Sequence, residues 1–137
     1  MRELKFRVWD VKLNEYVPKR ELDRNFGLDF NGELRCLIAS REKDPFILQQ
    51  YTGLTDSKGN HIYEGDIIKE HHFEDWGDKI GYEYIGIVVY KEYSDNILYA
   101  GYKTIPAKNQ NTKFRGNAIK SDCEVIGNVF ENPELLK

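Results

Sequence analysis

Glu64 and Asp66 are the best-placed pair of carboxylates in this chain, two residues apart around Gly65. In an extended segment they would share one face, as an acid/base pair or a pair of magnesium ligands requires. A backbone reading of the same residues has Asp66 accepting hydrogen bonds from local N–H groups, Gly65 permitting a bend, and Glu64 exposed. Gly-Asp pairs serve turns in this way, and it is the reading adopted. Further on, His71 and His72 lie among Glu70, Glu74 and Asp75, groups of the kind that bind divalent metals. Adjacent strand residues point to opposite faces, so both imidazoles would meet one ion only in an irregular loop. The spacing matches no metal motif, and the expectation is a solvated acidic loop with no metal, His71, His72 and Glu74 being the residual candidates. His61 stands beside a turn, where exposure is ordinary and a catalytic base is not expected. No phosphate-cradling glycine loop or nucleophile elbow occurs. Cys36 and Cys123 have no CxxC partner and read as two buried thiols.

A second kind of chemistry lies in the charge distribution. The formal net charge is −3, which argues against strong non-specific nucleic-acid binding. The charge is uneven, however. Glu64 to Glu83 holds seven acidic residues and two lysines, whereas Asn96 to Ser121 holds Lys103, Lys108, Lys113, Arg115 and Lys120 and no acid. Tyr99, Tyr102 and Phe114 stand among these cations, and cations interleaved with aromatics are what single-stranded nucleic acid needs, for phosphate neutralisation and base stacking. The bland alternative is a solvated loop.

The elements that must position these residues are strands. At 137 residues the chain is one compact unit or two small lobes, given domains of about 100–150 residues. Hydrophobic residues make up 40%, and nine Tyr, seven Phe and two Trp against one Met favour β-structure. No run approaches the roughly 20 apolar residues that span a membrane, and no signal peptide opens the chain. Leu4, Phe6 and Val8 alternate with Lys5, Arg7 and Trp9 as in a half-buried strand, with Trp9 expected in the core. Asp10 to Asn14 reads as a turn, Tyr16-Val17 as a short return strand, and Lys19 to Arg24 as a marginal helical turn. Around Asn31-Gly32, a two-residue loop would set Phe30 against Glu33 and mix apolar with charged residues. A three-residue loop, Phe30-Asn31-Gly32, pairs Leu28 with Leu34 and Phe26 with Cys36, and one buried face demands that register. Further strands are expected over Phe46–Leu54, Tyr82–Tyr93, Ile97–Tyr102 and Glu124–Phe130. Long loops are expected over Glu70–Lys79 and Pro106–Ala118, with a helical turn after Asn132-Pro133.

The stretch Gln50 to Ile68 organises the rest. Tyr51-Thr52-Gly53-Leu54 ends a strand. Asp56-Ser57-Lys58-Gly59-Asn60 is a turn in which Asp56 accepts N–H groups two residues on and Gly59 takes positive φ. Ile62-Tyr63 and Ile67-Ile68 flank Glu64-Gly65-Asp66, where Gly65 marks a bulge, a bend or a close backbone approach. This block resembles the central motif of the YopX-type family of phage and prophage proteins. Arg2-Glu3-Leu4-Lys5-Phe6-Arg7-Val8-Trp9-Asp10 is similar to the family's start, and Glu124-Val125-Ile126-Gly127-Asn128-Val129-Phe130-Glu131-Asn132-Pro133-Glu134-Leu135-Leu136 to its end. The resemblance implies a mostly β protein in the bacterial cytoplasm during phage infection or lysogeny, and it carries over no catalytic residue. Its motif residues Tyr51, Gly53, Asp56, Gly59, Tyr63, Glu64, Gly65 and Asp66 are read as structural.

The expectation is an all-β, mainly antiparallel chain with very little helix: a hairpin and meander lobe over 1–60, and a small SH3-like bent barrel over 61–137. Function is expected to be non-enzymatic interaction with a host or phage protein, or self-association, without cofactor or membrane. Nucleic-acid binding through residues 103–120 is the alternative, and a metal-dependent hydrolase built on Glu64, Asp66 and His71 is a third. On the nucleic-acid reading, Lys108→Glu with Lys113→Glu abolishes the gel shift of a labelled single-stranded oligonucleotide; unchanged affinity retires it.

Overall fold

The computed structural model describes residues 3–36, 46–72, 82–92, 100–107, 117–119 and 122–137. The chain divides into two units, Lys5–Gln50 and Tyr51–Lys137 with Met1–Leu4. Both are built on antiparallel strands.

In the smaller unit, β1 (Phe6–Asp10) pairs with β2 (Glu15–Tyr16) and with the first half of β5 (Phe46–Thr55), in a register that sets Trp9 opposite both Tyr16 and Ile47. The turn between β1 and β2 is closed by Asp10, whose Oδ1 accepts the N–H groups of Lys12 and Leu13 at 2.9 and 3.0 Å. The simple alternation expected of this strand is not what forms. Val8, Trp9 and Asp10 are all buried, because the Tyr16 ring meets Trp9 edge-on at 4.9 Å and Asp10 is drawn into its own turn. On the Trp9 side, Gln49 Oε1 accepts from Arg7 Nε at 2.7 Å and from the Tyr16 hydroxyl at 2.9 Å, which satisfies a buried amide.

Helix α1 (Lys19–Asn25) is a full if short helix rather than a marginal turn. The Pro18 carbonyl accepts from the N–H groups of Glu21 and Leu22, and Lys19 pairs with Asp23 one turn on at 2.6 Å. Strands β3 (Phe26–Leu28) and β4 (Leu34–Cys36) then form the hairpin in the expected register, with Leu28 opposite Leu34 and Phe26 opposite Cys36. The loop is the three-residue one. Asp29 N–H donates to the Glu33 carbonyl, Gly32 N–H donates to the Asp29 carbonyl, and Gly32 has φ +81°.

In the larger unit, the second half of β5 pairs with β6 (His61–Tyr63). A five-stranded sheet follows in the order β10-β9-β8-β7-β11, from β7 (Asp66–His72), β8 (Tyr82–Glu92), β9 (Ala100–Pro106), β10 (Asn117–Ala118) and β11 (Glu124–Asn128). A single 3-10 turn, Pro133–Leu136, ends the chain. Ile62, Ile68, Val88 and Cys123 form the buried centre, with Tyr102, Ile119 and Val125 against it. Among the described residues no helix is long and apolar enough to cross a membrane.

Three expected boundaries move. Glu70, His71 and His72 continue β7 instead of opening a loop, with Glu70 opposite Tyr84, His71 opposite Glu83 and His72 opposite Tyr82. Glu70 occupies an inward position two residues after Ile68 and is 1% exposed, so its polarity hides a strand that the pairing to β8 imposes. Strand β9 runs on to Pro106, beyond the expected Tyr102, and Asn117–Ala118 pair with it inside the segment expected to be loop. Ala107 is buried and its N–H donates to the Ile85 carbonyl, and the rest of the two expected long loops, 73–79 and 108–116, lies outside the described residues.

Gly86, at the middle of β8, sits opposite Ile68 on one neighbour and Pro106 on the other. A Cβ there would lie 2.8 Å from the Ile105 carbonyl oxygen and 2.8 Å from the Tyr84 ring. The carbonyl belongs to the paired strand and cannot yield without breaking the ladder. Gly86→Ala is therefore expected to destabilise the protein by about 1–3 kcal/mol, read as a lower urea midpoint with an unchanged slope.

Candidate functional site

Tyr51, at the start of the central motif, is 5% exposed and holds the His61 ring at 4.6 Å and the Tyr63 ring at 5.6 Å. Between Tyr51 and Thr55 the pairing with β6 slips, and Gly53 takes φ +88° within the irregularity. Thr52 fills the gap. Its hydroxyl donates to the Ile62 carbonyl at 2.8 Å and accepts from Leu54 N–H at 3.1 Å.

The turn that follows is arranged around the Asp56 carboxylate. Oδ1 accepts the N–H groups of Lys58 and Asn60 at 2.9 and 2.8 Å, while Oδ2 accepts from Asn60 Nδ2 at 3.2 Å and from Val125 N–H at 3.1 Å. Gly59 takes φ +85°, as the turn reading requires. The turn is also fastened to β11 by Ser57 N–H donating to the Cys123 carbonyl at 2.9 Å, and by a Lys58–Glu124 ion pair at 2.8 Å. Burial pushes the Asp56 carboxyl up. The hydrogen bonds from Val125, Asn60 and Lys58 together outweigh it and hold the group below the usual carboxylate range.

Glu64 and Asp66 do not lie in one extended segment. Glu64 and Gly65 form a tight turn, Gly65 has φ +79°, and the Asp66 carboxylate turns back so that Oδ2 accepts Tyr63 N–H at 2.8 Å. Asp66 is 1% exposed and Glu64 half-buried rather than exposed. Gly65 is also the close backbone approach expected of it. Its N–H donates to the Val88 carbonyl and its carbonyl accepts Val129 N–H, both at 2.9 Å.

Val129 belongs to the closing motif, whose asparagines the sequence reading did not single out. Asn128 Oδ1 accepts the N–H groups of Phe130 and Glu131 at 3.0 and 2.9 Å, and Asn132 Oδ1 accepts Asn128 N–H at 3.2 Å. The Asn132 side chain lies so close over Gly127 that a Cβ there would come within 2.5 Å of its Oδ1. The signal was an Asn before Pro133 with a second Asn four residues earlier, both turn formers.

Of the metal candidates, His71 is half-buried on β7, His72 is the last residue of the same strand, and Glu74 lies outside the described residues. Among the described residues no group of three His, Cys, Asp or Glu is arranged to hold a metal ion. Of the basic candidates, Lys103 is placed on β9 opposite Val89 and Ala118, and Lys108, Lys113, Arg115 and Lys120 lie outside the described residues. Both cysteines are free thiols. Cys36 is half-buried rather than buried, whereas burial and the negative charge of Glu70 and Asp56 push the Cys123 thiol up to about 11.

Asp56→Asn places an amide NH2 against groups that are themselves donors, and is expected to cost about 1–3 kcal/mol in urea unfolding. The pH dependence has a definite sign. Because the folded carboxyl sits below its unfolded value, its contribution is complete above the unfolded value of about 4 and is lost as pH falls through the lower folded value. Wild type should therefore lose more stability than Asp56→Asn on acidification in that range. Parallel losses in the two proteins would refute the role given to this carboxylate.

Comparison with known proteins gives the chain a family and a fold. The family described as YopX protein matches residues 5–137. No curated protein matches the chain. Among solved structures, the crystal structure of protein EF1440 from Enterococcus faecalis is similar over 100% of both chains, with 22% identity and a TM-score of 0.51, which shows a shared fold. Over essentially its whole length, the chain belongs to the YopX family.

Proposed function

We propose that this YopX-family protein is a phage or prophage accessory protein that acts in the bacterial cytoplasm as a non-enzymatic protein-interaction module. One observation carries the reading, the apolar surface of the smaller unit. Val11 and Leu13 in the β1–β2 turn, Leu28 and Phe30 in the β3–β4 hairpin, and Ile47 on β5 are all exposed. Single exposed apolar side chains are ordinary, but several within so short a unit supply the material of a protein contact. The polar motif residues add support of another kind. Asp56, Asp66, Asn128 and Asn132 each turn their oxygens to main-chain N–H groups of their own fold. In this reading the larger unit, with an SH3-like bend to its sheet, is the scaffold and the smaller unit the contact surface. The partner is a host or phage protein, or a second copy of the chain.

Affinity capture from bacterial lysate with tagged protein, run with and without nuclease, tests the reading alongside sedimentation of the purified protein. Specific protein recovered after nuclease treatment, or a concentration-dependent dimer, is the expected result. Recovery that disappears with nuclease would transfer the function to nucleic acid and the basic 103–120 segment.

A further inference from the structure

Resting on the interaction-module reading, we infer that Phe30 is the anchor of the contact and that it enters an aromatic-sized apolar pocket with a cationic rim on a different protein. Phe30 is 111% exposed, more than any other large apolar side chain described. It occupies the first central position of the turn closed by Gly32 N–H on the Asp29 carbonyl, where Pro or a small polar residue serves the geometry as well. Neither the turn nor the pairs Leu28–Leu34 and Phe26–Cys36 below it uses the ring.

The loop beneath the ring is nonetheless tightly held. Asp29 Oδ1 accepts the N–H groups of Asn31 and Glu33 at 2.9 and 3.0 Å, and Oδ2 takes both Nε and Nη2 of Arg35 at 3.1 and 2.8 Å. A ring carried on a backbone already fixed loses little further freedom on docking, which is what makes an aromatic side chain an effective anchor. Charge narrows the partner. Arg35 is engaged by Asp29 and lies 3.4 Å from Glu33, so one cation faces two carboxylates and the base of the ring carries a net negative charge, with the Glu33 side chain 69% exposed. A pocket rimmed by Lys or Arg complements it, and an acidic rim would be repelled.

The test uses the full chain with p-benzoylphenylalanine replacing Phe30, and a second chain with the same group replacing Asp23 on α1 as a control. Illumination in nuclease-treated bacterial lysate should crosslink one protein from position 30 and not from position 23, at residues lining an apolar pocket. Recovery of that protein should fall about tenfold or more for Phe30→Ala and be retained for Phe30→Trp, both at the wild-type melting temperature. Equal recovery by wild type and Phe30→Ala would overturn the anchor and leave the interaction module standing. A crosslink only to a second copy of the chain, or to no protein while capture persists, would also overturn the anchor. Failure of wild type to retain any protein after nuclease would overturn both.

Discussion

The Asp56 carboxylate is the contact on which the larger unit depends. One oxygen shapes the turn after β5 by taking two of its N–H groups, and the other reaches Val125, 69 residues away in sequence. A single side chain thus joins a local event to the last strand of the sheet. Removing it would leave a buried main-chain N–H without its acceptor at the point where β11 begins, besides relaxing the turn. Gly65 plays the complementary part with its backbone alone, bonding to Val88 on one side and Val129 on the other. Two points of the central motif, Asp56 and Gly65, are in this way fixed to the start of β11 and to the residue just past its end.

The same device recurs throughout. Asp10, Asp29, Asp56, Asp66, Asn128 and Asn132 all fold a short polar side chain back onto N–H groups within four residues. A small β protein has many turns for its length, and each buried turn must have its donors satisfied. This accounts for a motif rich in Asp, Asn and Gly.

What could be read from the chain in advance was what neighbours in sequence decide. The three-residue loop at Phe30-Asn31-Gly32, the Asp56–Gly59 turn and the strand that begins at Tyr82 all follow from local pattern, and all are found. What could not be read was decided by strands distant in sequence. Glu70 looks like the start of a polar loop until Tyr84 is placed opposite it. The tie from Asp56 to Val125 has no sequence trace at either end. Phe30, which the three-residue loop places in the turn, is projected into solvent there.

The docking of the 56–60 turn has a consequence for how the molecule meets copies of itself. Strand β11 lies at one end of the five-stranded order, with β7 along one side. A terminal strand offers unused main-chain donors and acceptors to any other extended chain, and so invites runaway pairing. Here the Cys123 carbonyl and the Val125 N–H are already taken by Ser57 and Asp56, and the Lys58–Glu124 pair places charge beside them. The turn acts as a stopper on that border. It leaves the sheet finite at that point.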